Sequence, residues 1–190
     1  DLNEFKSAYS AARLVGTVDE PEGLLTSAVR QNPFSIVLFD EIEKAHKDVF
    51  DILLQVTGEG RLTDSLGRTS DVTNCVLVMT SNLGVSTQEQ SFGFANEQDD
   101  KQQHDHRYIR ASQKFFRPEF FNRIDKVIPF DPLSQTQIGL IAEKMMSHVV
   151  SRDGLLRRRC ILQVDQKALS QVSKKGYHPK LGARALKRAI

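Results

Sequence analysis

The 190-residue sequence has little cysteine, only Cys75 and Cys160. Both lie in apolar stretches of strand-like composition. They are read as buried free thiols, which suits a reducing compartment rather than a disulfide scaffold. No apolar run approaches membrane-spanning length, and no secretory signal opens the chain. There is no internal repeat and no low-complexity tract. An excess of one charge is also missing: 26 Lys and Arg against 24 Asp and Glu leave a net charge of +2. That is too small to argue for nucleic acid or an acidic membrane as partner. The expectation is a cytoplasmic protein, with an organelle matrix possible, that binds neither. What is present is ordinary for a globular protein, 39% hydrophobic and 26% charged residues. The length allows one or two domains with a real core.

One stretch organises the rest. Ile36 to His46 reads IVLFDEIEKAH. An almost unbroken apolar run predicts a buried parallel strand. It ends in two acids, Asp40 and Glu41, and a carboxylate is costly to bury unpaired. In open α/β sheets ligands sit beyond the carboxyl ends of the strands. A carboxylate there can hold Mg²⁺, directly or through water, and a second can orient the attacking water in phosphoryl transfer. The plain alternative is a core strand followed by an acidic helix start, which the helix dipole also favours.

Along the chain, Asp1 to Glu4 can cap a helix with its body at Phe5 to Leu14. VGTVDEPEG, Val15 to Gly23, reads as a loop, and Leu24 to Arg30 as a helix stopped near Pro33. Ile42, Ala45, Val49, Leu53 and Val56 recur at helical spacing, ended by Gly58 and Gly60. Arg61 to Asn74 predicts a hairpin around Ser65 to Gly67. Cys75 to Thr80 predicts a second buried strand, ending in Thr80, Ser81 and Asn82. Gln88 to His106, rich in charge and amides, reads as a mobile surface loop. Its His104 and His106 are assigned to solvent rather than to a metal. Tyr108 to Phe116 reads as a helix, and Lys126 to Phe130 as a third strand. A composition shift at Asp131-Pro132 predicts a domain boundary. Beyond it come a helix from Ser134 to about Arg152, a strand at Ile161 to Val164, a helix from Asp165 to Lys175, and a basic helix from Gly182 to Ile190. The pattern is an α/β sheet domain over 1–131 and a small, mostly helical lid over 132–190.

In combination these stretches resemble the Clp family of ring-forming, ATP-driven unfoldases, the second ATPase module of ClpB, ClpA and ClpC, which are AAA+ proteins. The resemblance is carried by SAARLVG at Ser10 to Gly16, IVLFDEIEKAH, and VFDILLQV with EGRLTDSLGRT between Val49 and Thr69. It continues in VLVMTSNLG at Val76 to Gly84, FRPEFFNRID at Phe116 to Asp125, and GYHPKLGARALKRAI at Gly176 to Ile190. It implies an AAA+ sheet domain with a small lid. Asp40 matches the Walker B residue facing Mg²⁺, and Glu41 the one facing the hydrolytic water. Asn82 matches sensor 1, Arg123 an arginine finger reaching a neighbouring subunit, and Arg184 sensor 2 on the lid. The resemblance further implies ATP and Mg²⁺ as cofactors and a hexameric ring. It implies unfolded or aggregated polypeptide as substrate, with a peptidase or co-chaperone as a possible partner. The plain alternatives are an Asn closing a strand turn, an Arg123 ion pair with Asp125 or Glu119, and a solvated basic helix face around Arg184.

Two departures from the family stand out. No GxxxxGK[ST] phosphate-binding loop occurs, and DLNEF matches the end of the family's second strand. The expectation is a partial sheet, lacking the first strand, and poor ATP hydrolysis by the isolated chain. The family's Gly-aromatic-Val-Gly pore loop is replaced by TVDEPEG, acidic and without an aromatic. A degenerate, non-hydrolysing module acting as a ring scaffold is therefore the second reading. A DNA-linked AAA+ loader is a third, opposed by the FRPEFFNRID and GARALKRAI matches.

Overall fold

The computed structural model describes residues 1–85, 97–150, 163–176 and 183–190. The chain divides into two compact units, Asp1–Pro129 and Phe130–Ile190.

In the first unit, Asp1 caps a 3₁₀ turn at Leu2–Glu4, and Ser7 and Ser10 form a capping box on helix α1, Ala8–Ala12. The single helix expected from Phe5 to Leu14 is thus broken, because the serine pair restarts it. Helix α2 spans Leu24–Gln31, strand β1 Ile36–Phe39, and a 3₁₀ turn Ile42–Lys44. Helix α3 is Lys47–Glu59. Gly58 lies inside it. Gly60 ends it at φ 66°, a left-handed position that favours glycine. Strands β2, Arg61–Thr63, and β3, Thr69–Asp71, form the expected antiparallel hairpin. Strand β4, Val76–Met79, runs parallel to β1 in register Ile36–Val76 through Phe39–Met79. Helices α4, Glu97–Phe115, and α5, Pro118–Phe121, follow.

The core is built on the buried face of α3, where Val49, Leu53 and Val56 pack with Leu25, Val29, Phe39, Leu62 and Phe120. Phe50, Phe115, Phe116 and Phe120 meet largely edge to face, with ring centroids 5.1–6.2 Å apart. This aromatic cluster ties α4 and α5 to α3.

Three expectations fail here. Residues 97–106 are helical, not loop. Their Glu, Gln and Lys are good helix formers, and Phe115, packed on Phe50 of α3, anchors the far end of the helix they extend. Lys126–Phe130 is not a strand. It has no ladder partner among the described residues, and Ile128 and Phe130 are exposed. β1 and β4 are not buried on both faces: Ile36, Leu38, Val76 and Val78 stand exposed, while Val37, Leu77 and Met79 face the core. Cys75, just before β4, is a half-buried free thiol, and Cys160 lies outside the described residues. So do 86–96, which hold part of the expected loop.

In the second unit, Ser134 caps helix α6, Gln135–Val150, through reciprocal bonds with Gln137. Helix α7 spans Gln166–Gly176. A 3₁₀ turn at Ala183–Ala185 leads into α8, Leu186–Ala189. Ile138, Ala142 and Leu186 form its core. A Cβ on Gly176 would overlap the Leu186 side chain and lie 3.0 Å from its Cα. Glycine therefore permits this close approach. The predicted strand at Ile161 to Val164 lies partly outside the described residues; Gln163 and Val164 are not in a strand.

Candidate functional site

Parallel pairing fixes the site. Because Phe39 pairs with Met79, the next residues, Asp40 and Thr80, emerge side by side at the carboxyl ends of β1 and β4. The ladder runs one step further, with Thr80 N–H donating to Phe39 O at 3.0 Å and Ile42 N–H to Thr80 O at 3.0 Å. Asp40, Glu41, Thr80 and Asn82 therefore share one rim, the place where open α/β sheets hold ligands.

Each group there is held by a neighbour. The Thr80 hydroxyl donates to Asp40 Oδ1 and accepts the Glu41 N–H at 3.1 Å. Glu41 takes a left-handed conformation at φ 57°, the one non-glycine residue with positive φ among the described residues. Such conformations cost roughly 1–3 kcal/mol and concentrate at functional sites. Asn3 Nδ2 donates to Glu41 Oε2, and Leu2 N–H to Asp40 O at 2.9 Å, so the amino-terminal turn braces the acid pair. On the β4 side, Asn82 N–H donates to Glu43 Oε1 at 3.2 Å. The other oxygen of Glu43 is buried and has no hydrogen-bond partner among the described residues.

The donor set is made of carboxylate, hydroxyl and amide oxygens, which suits a hard cation such as Mg²⁺. Among the described residues no group of three His, Cys, Asp or Glu could hold a metal alone. Mg²⁺ needs no such group, since it commonly binds through one or two carboxylates together with substrate phosphates.

The other predicted residues are carried by other elements. Arg123 follows α5, and its guanidinium donates to the Leu54 carbonyl of α3, packed by Gly58. Arg184 is exposed in the 3₁₀ turn before α8, in the second unit. Sequence reasoning assigned no role to Thr80, Glu43 or Asn3. The signal for Thr80 was positional, a hydroxyl one residue past the register partner of Phe39. For Glu43 it was a third acid three residues after Asp40.

A second polar centre sits on the hairpin. Asp64, buried at 4% exposure, accepts Leu66 N–H and Arg68 N–H on one oxygen at 3.0 and 2.9 Å. Its other oxygen takes Arg30 Nη2 at 2.7 Å and Arg68 Nε at 2.9 Å. Burial pushes this carboxyl up, but the Arg68 N–H and the Arg30 and Arg68 guanidinium groups more than offset it, holding it at about 2. Arg68 also pairs with Glu22 at 2.8 Å, and Arg13 with Glu20 at 3.2 Å. The Tyr9 hydroxyl donates to Asp19 at 3.2 Å. Ser65 Oγ bridges the Thr17 and Pro21 carbonyls at 3.2 and 2.8 Å. The acidic loop is thus tied to α1 and to the hairpin turn, with Val18 fully exposed at its tip.

Comparison with known proteins finds matches over both parts of the chain. The family model described as AAA domain (Cdc48 subfamily) matches residues 7–127. That described as the C-terminal, D2-small domain of ClpB protein matches residues 133–190. Among curated relatives, the chaperone protein ClpB of Vibrio vulnificus (strain YJ016) is 45% identical over all of this chain and 22% of its own length. The chaperone protein ClpB of Pseudomonas putida is 46% identical over the same shares. The chain spans about a fifth of the length of these relatives. Among solved structures, the extended conformation of an S. cerevisiae Hsp104:casein complex superimposes with TM-score 0.81 at 34% identity, over 99% of this chain and 33% of that one.

Proposed function

Because the chain belongs to the AAA family, with a carboxyl-terminal stretch of the ClpB D2-small type, we propose that it serves as an ATPase module of a Clp-type ring chaperone. In that role it couples ATP hydrolysis to the unfolding, disaggregation or translocation of polypeptides. One observation carries the reading: the β1–β4 register puts two acids, a hydroxyl and an amide on one strand-end rim. Bound Mg²⁺-ATP supplies the γ-phosphoryl group and the cation that offsets its charge. Asp40 would hold that cation, through water. Glu41 would orient the attacking water and accept its proton. The Asn82 amide would hydrogen-bond the γ-phosphate and the same water. Arg123 would serve the nucleotide of a neighbouring subunit, after leaving the Leu54 carbonyl. Arg184 would close the lid on the γ-phosphate through its bidentate guanidinium. A finger acting across a subunit boundary requires a neighbour, and the assembly would be a closed ring, by family resemblance a hexamer. The Hsp104 neighbour in complex with casein supports a polypeptide as substrate.

The test is Glu41→Gln in the protein at its natural length. Steady-state ATP turnover should fall by at least about 100-fold with nucleotide still bound. Undiminished turnover would overturn the assignment. The 190 residues contain no phosphate-binding loop sequence, so the isolated chain should turn over ATP poorly or not at all.

The tied acidic loop favours a second reading. Relatives of this type carry an aromatic grip there, whereas TVDEPEG offers acids in ion pairs. A non-hydrolysing scaffold module would keep ring assembly and lose turnover. Introducing an aromatic at Val18 should raise unfolding activity if the loop lines the substrate path, and no change would count against that placement.

A further inference from the structure

We propose that Thr80 and Glu43 are positioning residues forming a reciprocal clasp, in which each strand end holds the reactive groups of the other. This rests on the ATPase reading above. Thr80, at the end of β4, holds the β1 acids. One hydroxyl has one proton, which goes to Asp40 Oδ1, while its lone pair takes the Glu41 N–H at 3.1 Å. The Thr80 carbonyl also accepts Ile42 N–H at 3.0 Å. Glu43, beyond β1, holds the backbone that carries the Asn82 side chain: its Oε1 accepts the Asn82 main-chain N–H at 3.2 Å.

Both halves of the clasp answer a physical need. Glu41 stands in a left-handed conformation that its own Cβ opposes. Bonds from Thr80 to the N–H groups of Glu41 and Ile42 fix the peptide on each side of it. Asn82 lies two residues beyond Thr80, where the ladder has ended, and its N–H goes to Glu43 instead of a strand neighbour. The second oxygen of Glu43, buried without a hydrogen-bond partner among the described residues, keeps acceptor capacity beside that tip. A shift of either strand end would therefore be passed to the other through two side chains. The acids and the amide would stay in register as one unit.

The experiment compares Thr80→Val, Thr80→Ser, Glu43→Ala and Glu43→Gln in the protein at its natural length, with Glu41→Gln and Asn82→Ala alongside. Thr80→Val and Glu43→Ala should each lower kcat for ATP roughly tenfold while KM changes less than about twofold. Thr80→Ser and Glu43→Gln, which keep the hydroxyl and an acceptor oxygen, should restore most of the rate. Hydrogen exchange of the unmodified chain supplies a readout that needs no variant. The Glu41 and Asn82 amides should be protected by about tenfold or more, and free exchange at both would overturn the clasp. If Glu41→Gln and Asn82→Ala abolish turnover while Thr80→Val and Glu43→Ala do not, the clasp alone falls. If Glu41→Gln and Asn82→Ala leave turnover intact, the ATPase reading falls first.

Discussion

Two acidic centres in the first unit are built on opposite terms. Asp64 is buried and saturated, with two backbone N–H groups on one oxygen and two guanidinium groups on the other. Asp40 and Glu41 sit at the open rim of β1 and β4, held by a hydroxyl and an amide and, among the described residues, by no ion pair. A carboxylate with both oxygens committed to cations is spent on the fold. One fixed by neutral donors keeps its charge for a ligand. The difference separates a structural acid from a reactive one more sharply than acidity of the sequence does.

The comparison can be broken most decisively at the rim. Asp40→Asn should cut ATP turnover by about 100-fold or more in the protein at its natural length while thermal unfolding of the chain barely moves. A large loss of Tm would place Asp40 with the structural acids. At the hairpin the pattern should invert. Asp64→Asn puts an NH₂ group against the Arg30 and Arg68 guanidinium groups, so Tm should fall by about 5 °C or more in scanning calorimetry.

A finer test uses pH. The Asp64 carboxyl is held at about 2 in the folded chain against an ordinary 3.8. A lowered folded-state value means the carboxylate's contribution is fully present above 3.8 and is lost as pH falls toward 2. The urea midpoint should drop across that window, and Asp64→Asn should flatten the drop. The smallest effect belongs to the loop's outer pair. Arg13 and Glu20 are 38% and 59% exposed, so Arg13→Ala should cost no more than about 0.5 kcal/mol by chemical denaturation.

The strands that frame the rim were legible because apolar runs ending in polar residues occur at both Ile36–Phe39 and Val76–Met79. The acids followed from that reading, and Asn82 from the family resemblance. Thr80 and Glu43 did not, because their roles depend on which residues the register sets side by side, and register is a property of two strands together. The helix over 97–106 was hidden by a composition argument that weighed apolar content and ignored propensity. Lys126–Phe130 has strand-like residues, but a strand exists only through hydrogen bonds to a neighbour. Arg123 was singled out by its motif, and its resting place on the Leu54 carbonyl is a tertiary fact that spacing does not contain.

The uncovered side of the β1–β4 pair carries a material consequence. Ile36, Leu38, Val76 and Val78 put four branched aliphatic chains in water on adjacent strands, with Phe34 nearby. A patch of that kind invites sticking. Produced by itself, this polypeptide should light up a dye such as anilinonaphthalene sulfonate even while fully folded, and should keep best in dilute solution.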